Sequence, residues 1–98
     1  MFKIVWSKRA LNDLTDIAEY IAKDSIKYSR LTTNNLVSRC KGLINFPKKG
    51  KIVAEFNIES IREIIVGNYR IIYNIDKSDI NILTIHHSAR SLIKRKIV

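Results

Sequence analysis

A single cysteine, Cys40, leaves no partner for an intramolecular disulfide, and with only His86 and His87 to join it no familiar zinc-ligand spacing can be built. Three glycines at Gly42, Gly50 and Gly67 are too few and too scattered for a phosphate loop or a dinucleotide fingerprint. Nucleophile-elbow and metalloprotease motifs are missing as well, so the chain is expected to work without metal or cofactor. With one proline and so few glycines it has no linker or low-complexity stretch. No uninterrupted apolar run reaches membrane-spanning length, and the N-terminus meets Lys3, Lys8 and Arg9 too early for the apolar stretch of a signal peptide. A reduced, cytoplasmic setting away from membranes is the simple reading. Acidic residues are scarce: 9 Asp and Glu face 18 Lys and Arg, a net charge of +9 that points to polyanions, acidic surfaces or an acidic protein partner.

What the sequence does contain is 46% hydrophobic and 28% charged residues in 98, enough for one domain over residues 1–98, with 88–98 as a short basic tail. Phe2 to Trp6 is rich in strand formers, and Ser7 is placed to cap a helix. Leu11, Leu14, Ile17, Ala18 and Ile21 then repeat at three and four residues, with Asn12, Asp13, Asp16 and Glu19 opposite, which predicts an amphipathic helix from Lys8 to about Lys23. Asp24-Ser25 restarts the pattern, and Leu36, Val37, Cys40, Leu43 and Ile44 predict a second helix that ends near Phe46-Pro47. From Lys23 to Lys51 eight Lys and Arg residues stand against Asp24 alone, a net +7.

The second half changes to period two and to β-branched residues over Ile61–Val66, Tyr69–Ile75 and Ile80–His86. Gly67-Asn68 suits a two-residue hairpin turn, and Asp76-Lys77-Ser78-Asp79 a polar one, so the three strands form an antiparallel meander. The fold class is therefore α+β: an N-terminal strand, a two-helix antiparallel hairpin and a three-stranded meander. With Val66 paired to Tyr69 and Ile75 to Ile80, an unbroken register sets Arg70 opposite Ile85, with His87 diagonal to it and His86 on the other face beside Tyr69.

Taken together, the two helices, Phe46-Pro47-x-x-Gly50, Ile61-Arg62-Glu63, Tyr69-Arg70-Ile71-Ile72-Tyr73, Ile82-Leu83-x-Ile85-His86 and Arg90 follow an order that resembles the RelE/ParE toxin superfamily from residue 2 to about residue 92. Trp6-Ser7, Ala10, Asp13-Leu14 and Ile17-Ala18-Glu19-Tyr20-Ile21 look like the opening of its ParE-type branch. The resemblance implies a type II toxin that a cognate antitoxin neutralises, the pair often acting together on operator DNA. ParE-like members poison DNA gyrase; RelE-like members cut mRNA on the ribosome without a metal. The helical hairpin and the closing Ile85-His86-x-x-x-Arg90 favour the ParE-like branch, and Ser88-Ala89-Arg90-Ser91 lacks the tail tyrosine of some nucleases.

For a nuclease, the resemblance makes Arg70 a phosphate clamp, a task suited to a guanidinium fork, with Arg90 also on phosphate and His87 or Glu55 moving the proton. For target or nucleic-acid binding the candidates are Arg62, Arg70, His86, Arg90, Lys48, Lys49 and Lys51. Plainer roles stand beside these: Arg70 in an exposed cross-strand pair with Glu63, Glu55 as an edge-strand residue, Tyr69 and Tyr73 as packing, and Cys40 as a small core residue. A third function is that of a non-toxic relative retained as co-repressor or interaction module.

Overall fold

The computed structural model describes residues 1–90 and 92; Ser91 and residues 93–98, with the basic run Lys94-Arg95-Lys96, lie outside the described residues. Strand β1 (Lys3–Trp6) runs into helix α1 (Lys8–Ala22) through Ser7, whose backbone is still extended. The Ser7 hydroxyl accepts from the Ala10 N–H at 3.0 Å and donates to the Leu83 carbonyl at 2.9 Å. One side chain thus caps the helix and ties its start to the last strand. Helix α2 (Ile26–Lys41) is capped in the same way by Ser25, and the Ser29 hydroxyl donates to the Ala18 carbonyl of α1 at 2.7 Å to clasp the helical hairpin. The second helix stops earlier than its apolar pattern predicts. Beyond Lys41 the chain tightens into 3-10 turns over Gly42–Ile44 and Pro47–Lys49, because Pro47 has no N–H to continue the ladder and restricts Phe46 ahead of it.

Strands β2 (Lys51–Ile52), β3 (Ile61–Val66), β4 (Tyr69–Asp76) and β5 (Asp79–His87) complete a sheet of order β1-β5-β4-β3-β2, antiparallel except where β1 lies parallel to β5. The short β2 is a strand that the period-two pattern did not announce. Gly67, at φ +59°, supplies the left-handed turn between β3 and β4. On one face the helices bury Ala10, Leu36, Cys40 and Leu43 against Ile64, Val66, Ile71, Tyr73, Ile80, Ile82 and Ile85. The opposite face has its own smaller core of Val53, Ile61, Ile72 and Leu92, roofed by Phe56 where the segment after β2 folds back.

Three expectations are corrected. Leu11, placed on the buried stripe of α1, is half exposed, and its neighbour Ala10 is buried instead. Asp13, placed on the solvent side, reaches β5: its carboxylate accepts from the Thr84 hydroxyl and, at 3.1 Å, from the Ile85 N–H. It fulfils a backbone donor on the flank of β5 that β1 no longer covers, β1 having ended at Trp6.

The third correction concerns register. Val66 pairs with Tyr69 and Ile75 with Ile80 as expected, but a bulge intervenes: Tyr73 pairs with Ile82 and Ile72 with Thr84, leaving Leu83 without a cross-strand partner. It falls where β1 gives way to α1, so that Ser7 and Asp13 replace a strand along β5. One inserted residue exchanges the faces of all that follow. Arg70 lies opposite His86, not Ile85, and Tyr69 lies opposite His87.

Candidate functional site

On the sheet face away from the helices, β4 presents Arg70, β3 presents Glu63 and β5 presents His86. The turn after β2 brings Glu55 over them. The Arg70 guanidinium holds both carboxylates in two-pronged fashion. Nε and Nη2 donate to Glu63 at 2.7 and 3.0 Å, and Nη1 and Nη2 donate to Glu55 at 2.8 and 2.9 Å. Four of the five guanidinium N–H groups are therefore committed. Glu63 is buried, with 4% of its side chain exposed; Arg70 shows 12% and Glu55 26%. The network is not the exposed cross-strand pair expected of Arg70 and Glu63. Its two carboxylates and one guanidinium leave it acidic.

The other sequence candidates are dispersed. His86 is buried and its Nε2–H donates to the Arg90 carbonyl at 3.0 Å, while the Arg90 side chain points into solvent. His87, on the helix side, stacks edge-on with Tyr69 at 5.6 Å between ring centroids, and its Nδ1 accepts from the Ala89 N–H at 3.1 Å. The structure thus gathers Glu55, Arg70 and His86, adds Glu63, and leaves His87 on the far face. Arg62 also faces the helix side, opposite Tyr73, where it donates to the Gly50 carbonyl at 2.9 Å; its buried Nε has no hydrogen-bond partner. Lys48, Lys49 and Lys51 are exposed around the loop that leads into β2, Lys48 in a loose 3.9 Å pair with Glu59. Cys40 is fully buried in the helix-side core, which pushes its thiol up to about 12 and keeps it unreactive. Among the described residues no three His, Cys, Asp or Glu side chains gather as a metal cluster, and no helix is long and apolar enough to cross a membrane.

Hydrogen bonds from Arg70 hold the Glu55 carboxyl at about 2, below its ordinary 4.5, against the opposing effect of partial burial; His86 adds a smaller electrostatic contribution. The same bonds from Glu55 and Glu63 raise the Arg70 guanidinium further. A carboxyl whose acidity is greater in the folded chain stabilises the fold above its unfolded value and stops doing so as pH falls through its folded value. The Glu55 contribution is thus complete above about pH 4.5 and fades toward pH 2. Solvent screening of this partly exposed carboxylate reduces it to about 1 kcal/mol. Urea midpoints at neutral pH are expected to be lower for Glu55→Gln than for the parent chain, and the two are expected to converge as pH approaches 2. Parallel curves across that window would place Glu55 outside the network.

Comparison with known proteins gives one consistent result. The family described as "ParE toxin of type II toxin-antitoxin system, parDE" matches residues 4–92. "Toxin RelE2" of Caulobacter vibrioides is 31% identical over 91 residues, covering 92% of this chain and 99% of its own. A solved structure titled "Chromosomal ParDE TA system from P. aeruginosa" superposes with a TM-score of 0.75 over 89% of this chain and 96% of that one; at 18% identity the likeness is one of fold.

Proposed function

The chain belongs to the ParE toxin family of type II toxin–antitoxin systems, and from that premise we propose that it inhibits DNA gyrase by binding it. An antitoxin partner goes with the membership itself. The toxin acts in the cytoplasm, and in complex with the antitoxin it reaches operator DNA.

The observation that carries the gyrase reading is the state of Arg70. A metal-free nuclease needs a cationic fork open to the scissile phosphate and a proton-transfer group beside it. Here the fork already grips two carboxylates, which together repel a phosphate, and His87 stands on the other side of the sheet. A protein that works by occupying its target needs no such cradle.

The second reading, a ribosome-dependent mRNA endonuclease, is favoured by the name of the 31% relative and by the grouping of Glu55, Arg70 and His86 on one face. For that chemistry Glu55 would have to release Arg70 when substrate arrives. Purified protein is expected to block gyrase supercoiling of relaxed plasmid, or to accumulate cleaved complexes, while leaving mRNA on translating ribosomes intact. Codon-linked cuts with unimpaired supercoiling would reverse the order of the two readings. Normal supercoiling together with intact message would leave the non-toxic co-repressor.

A further inference from the structure

The helical hairpin does not cover the whole of its side of the sheet. Helix α2 ends at Lys41, and the chain then leaves along Asn45–Lys49, so the end of the sheet near the β4–β5 turn stays open. There Phe2, Phe46, Pro47 and Ile75 line a groove of about 760 Å³, with Asn45, Lys48 and Lys49 as its polar members. Phe46 is 69% exposed, an aromatic ring kept in water in a domain that buries most of its other large apolar groups. We propose that this groove seats an acidic, amphipathic segment of a protein partner, whose apolar side chains fill the space beside Phe46, Pro47 and Ile75 while its carboxylates meet Lys48 and Lys49.

Charge selects this occupant. A second copy of the chain would bring another +9 to a rim that is already cationic, which like-charge repulsion opposes. A nucleic-acid strand would satisfy the lysines but leave the apolar floor wet. A small molecule is poorly served, since such sites enclose their ligand and converge several polar groups on it, whereas this groove is open and offers Asn45 as its one neutral polar side chain. An acidic helix or turn with an aliphatic or aromatic ridge answers both features at once. Lys48 is also available to it, because its contact with Glu59 joins two side chains that are each about three-quarters exposed.

The groove walls are held in place. The Tyr73 hydroxyl accepts from the Gly50 N–H at 2.9 Å and donates to the Pro47 carbonyl at 2.7 Å, and Arg62 donates to the Gly50 carbonyl. These bonds fix the Phe46–Gly50 loop against β3 and β4, so a partner would meet a surface already formed and lose less entropy on docking. The groove lies on the opposite side of the sheet from Glu55 and Arg70, and the proposal does not use the gyrase reading.

The test titrates the full-length chain with a fluorescent synthetic peptide of about 15 residues, Leu and Phe at helical i, i+3, i+4 and i+7 spacing and Glu elsewhere. Two control peptides accompany it, one scrambled in order and one with Lys for Glu. Saturable binding of the acidic amphipathic peptide alone is expected, weakening as salt is raised. Amide shifts should be confined to Phe2, Asn45, Phe46, Lys48, Lys49 and Ile75. Phe46→Ala and the pair Lys48→Glu/Lys49→Glu should each weaken binding by roughly tenfold or more. All three side chains are exposed, so circular dichroism and Tm should stay unchanged. Equal binding of the scrambled peptide, shifts on the helices or around Arg70, or indifference to Phe46→Ala would overturn the proposal. Self-association through these residues would overturn it too, as would displacement of the peptide by an oligonucleotide that still binds the Phe46→Ala chain.

Discussion

Arg70→Met is expected to destabilise the fold by about 3–5 kcal/mol, because it strips the partner from a carboxylate that is almost wholly buried. A domain of this size holds only about 5–15 kcal/mol in total, so the variant should sit near the edge of folding, with Tm lowered on the order of 15–30 °C. Nearly all of that loss comes from Glu63 and little from Glu55, which can turn to water. Arg70→Met/Glu63→Leu should therefore recover to within about 1 kcal/mol of the parent chain, since apolar residues of similar size replace a buried ion pair at small cost. Arg70→Lys should fall between, one ammonium being unable to serve two two-pronged carboxylates. Chemical denaturation of the three variants measures this, and an unchanged midpoint for Arg70→Met would sink it. The double variant also separates function from architecture. If Arg70 is a staple, growth arrest on induction returns with the fold; if it is a phosphate clamp, the refolded double variant stays inactive.

Much of this network was legible in the sequence and its most consequential detail was not. Period-two spacing placed Ile61–Val66 and Tyr69–Asp76 correctly, and the Gly67-Asn68 turn aligned Val66 with Tyr69, which puts Glu63 and Arg70 on one face. The bulge at Leu83 left no mark in Asn81-Ile82-Leu83-Thr84-Ile85, a run apolar or β-branched at nearly every position and so compatible with either register. What selects the bulge is tertiary. Ser7 and Asp13, some seventy residues away in the chain, take the β5 groups that no strand pairs. The swap of His86 and His87 follows from that contact. Asp13 carried a weak signal of its own role, sitting between Ala10 and Leu14 at helical spacing, where a purely solvent-facing residue would stand further round the helix.

Glu55 was visible as a residue and invisible as a ligand. Its segment, Val53-Ala54-Glu55-Phe56, has no regular period, and only in the fold do buried Val53 and half-buried Phe56 press the turn onto the second face and lower Glu55 onto Arg70. The charge excess was likewise easy to count and hard to place. Most of it lies between Lys23 and Lys51, yet the Arg70 network is acidic, and the lysines that border an apolar surface are Lys48 and Lys49. Net charge reports the partner's sign, and the position of Phe46 reports where that partner would rest.

The second large effect is expected at Gly50, for reasons of space and not of backbone freedom. Its φ and ψ, −72° and 155°, are ordinary extended values open to any residue. A Cβ there would lie 2.5 Å from the Glu63 carbonyl oxygen and 2.5 Å from the Tyr73 hydroxyl. The first obstacle is backbone within β3 and cannot rotate away. The second is the group to which the Gly50 N–H donates. Gly50→Ala must push the loop off the sheet, combining overpacking with loss of the buried Tyr73 bridge, for about 2–4 kcal/mol of destabilisation. Gly42→Ala is the matched control: nothing stands within 4 Å of its Cβ, its backbone is helical, and it should be neutral or stabilising by up to about 1 kcal/mol. Adding Tyr73→Phe to Gly50→Ala removes one obstacle and leaves the carbonyl, so rescue should be partial; full rescue would mean that the tyrosine alone sets the limit. Because the displaced loop carries Phe46, Lys48 and Lys49, Gly50→Ala should also loosen the acidic peptide while leaving the Arg70 network intact, as amide exchange of β3 and β4 against that of residues 45–50 would report.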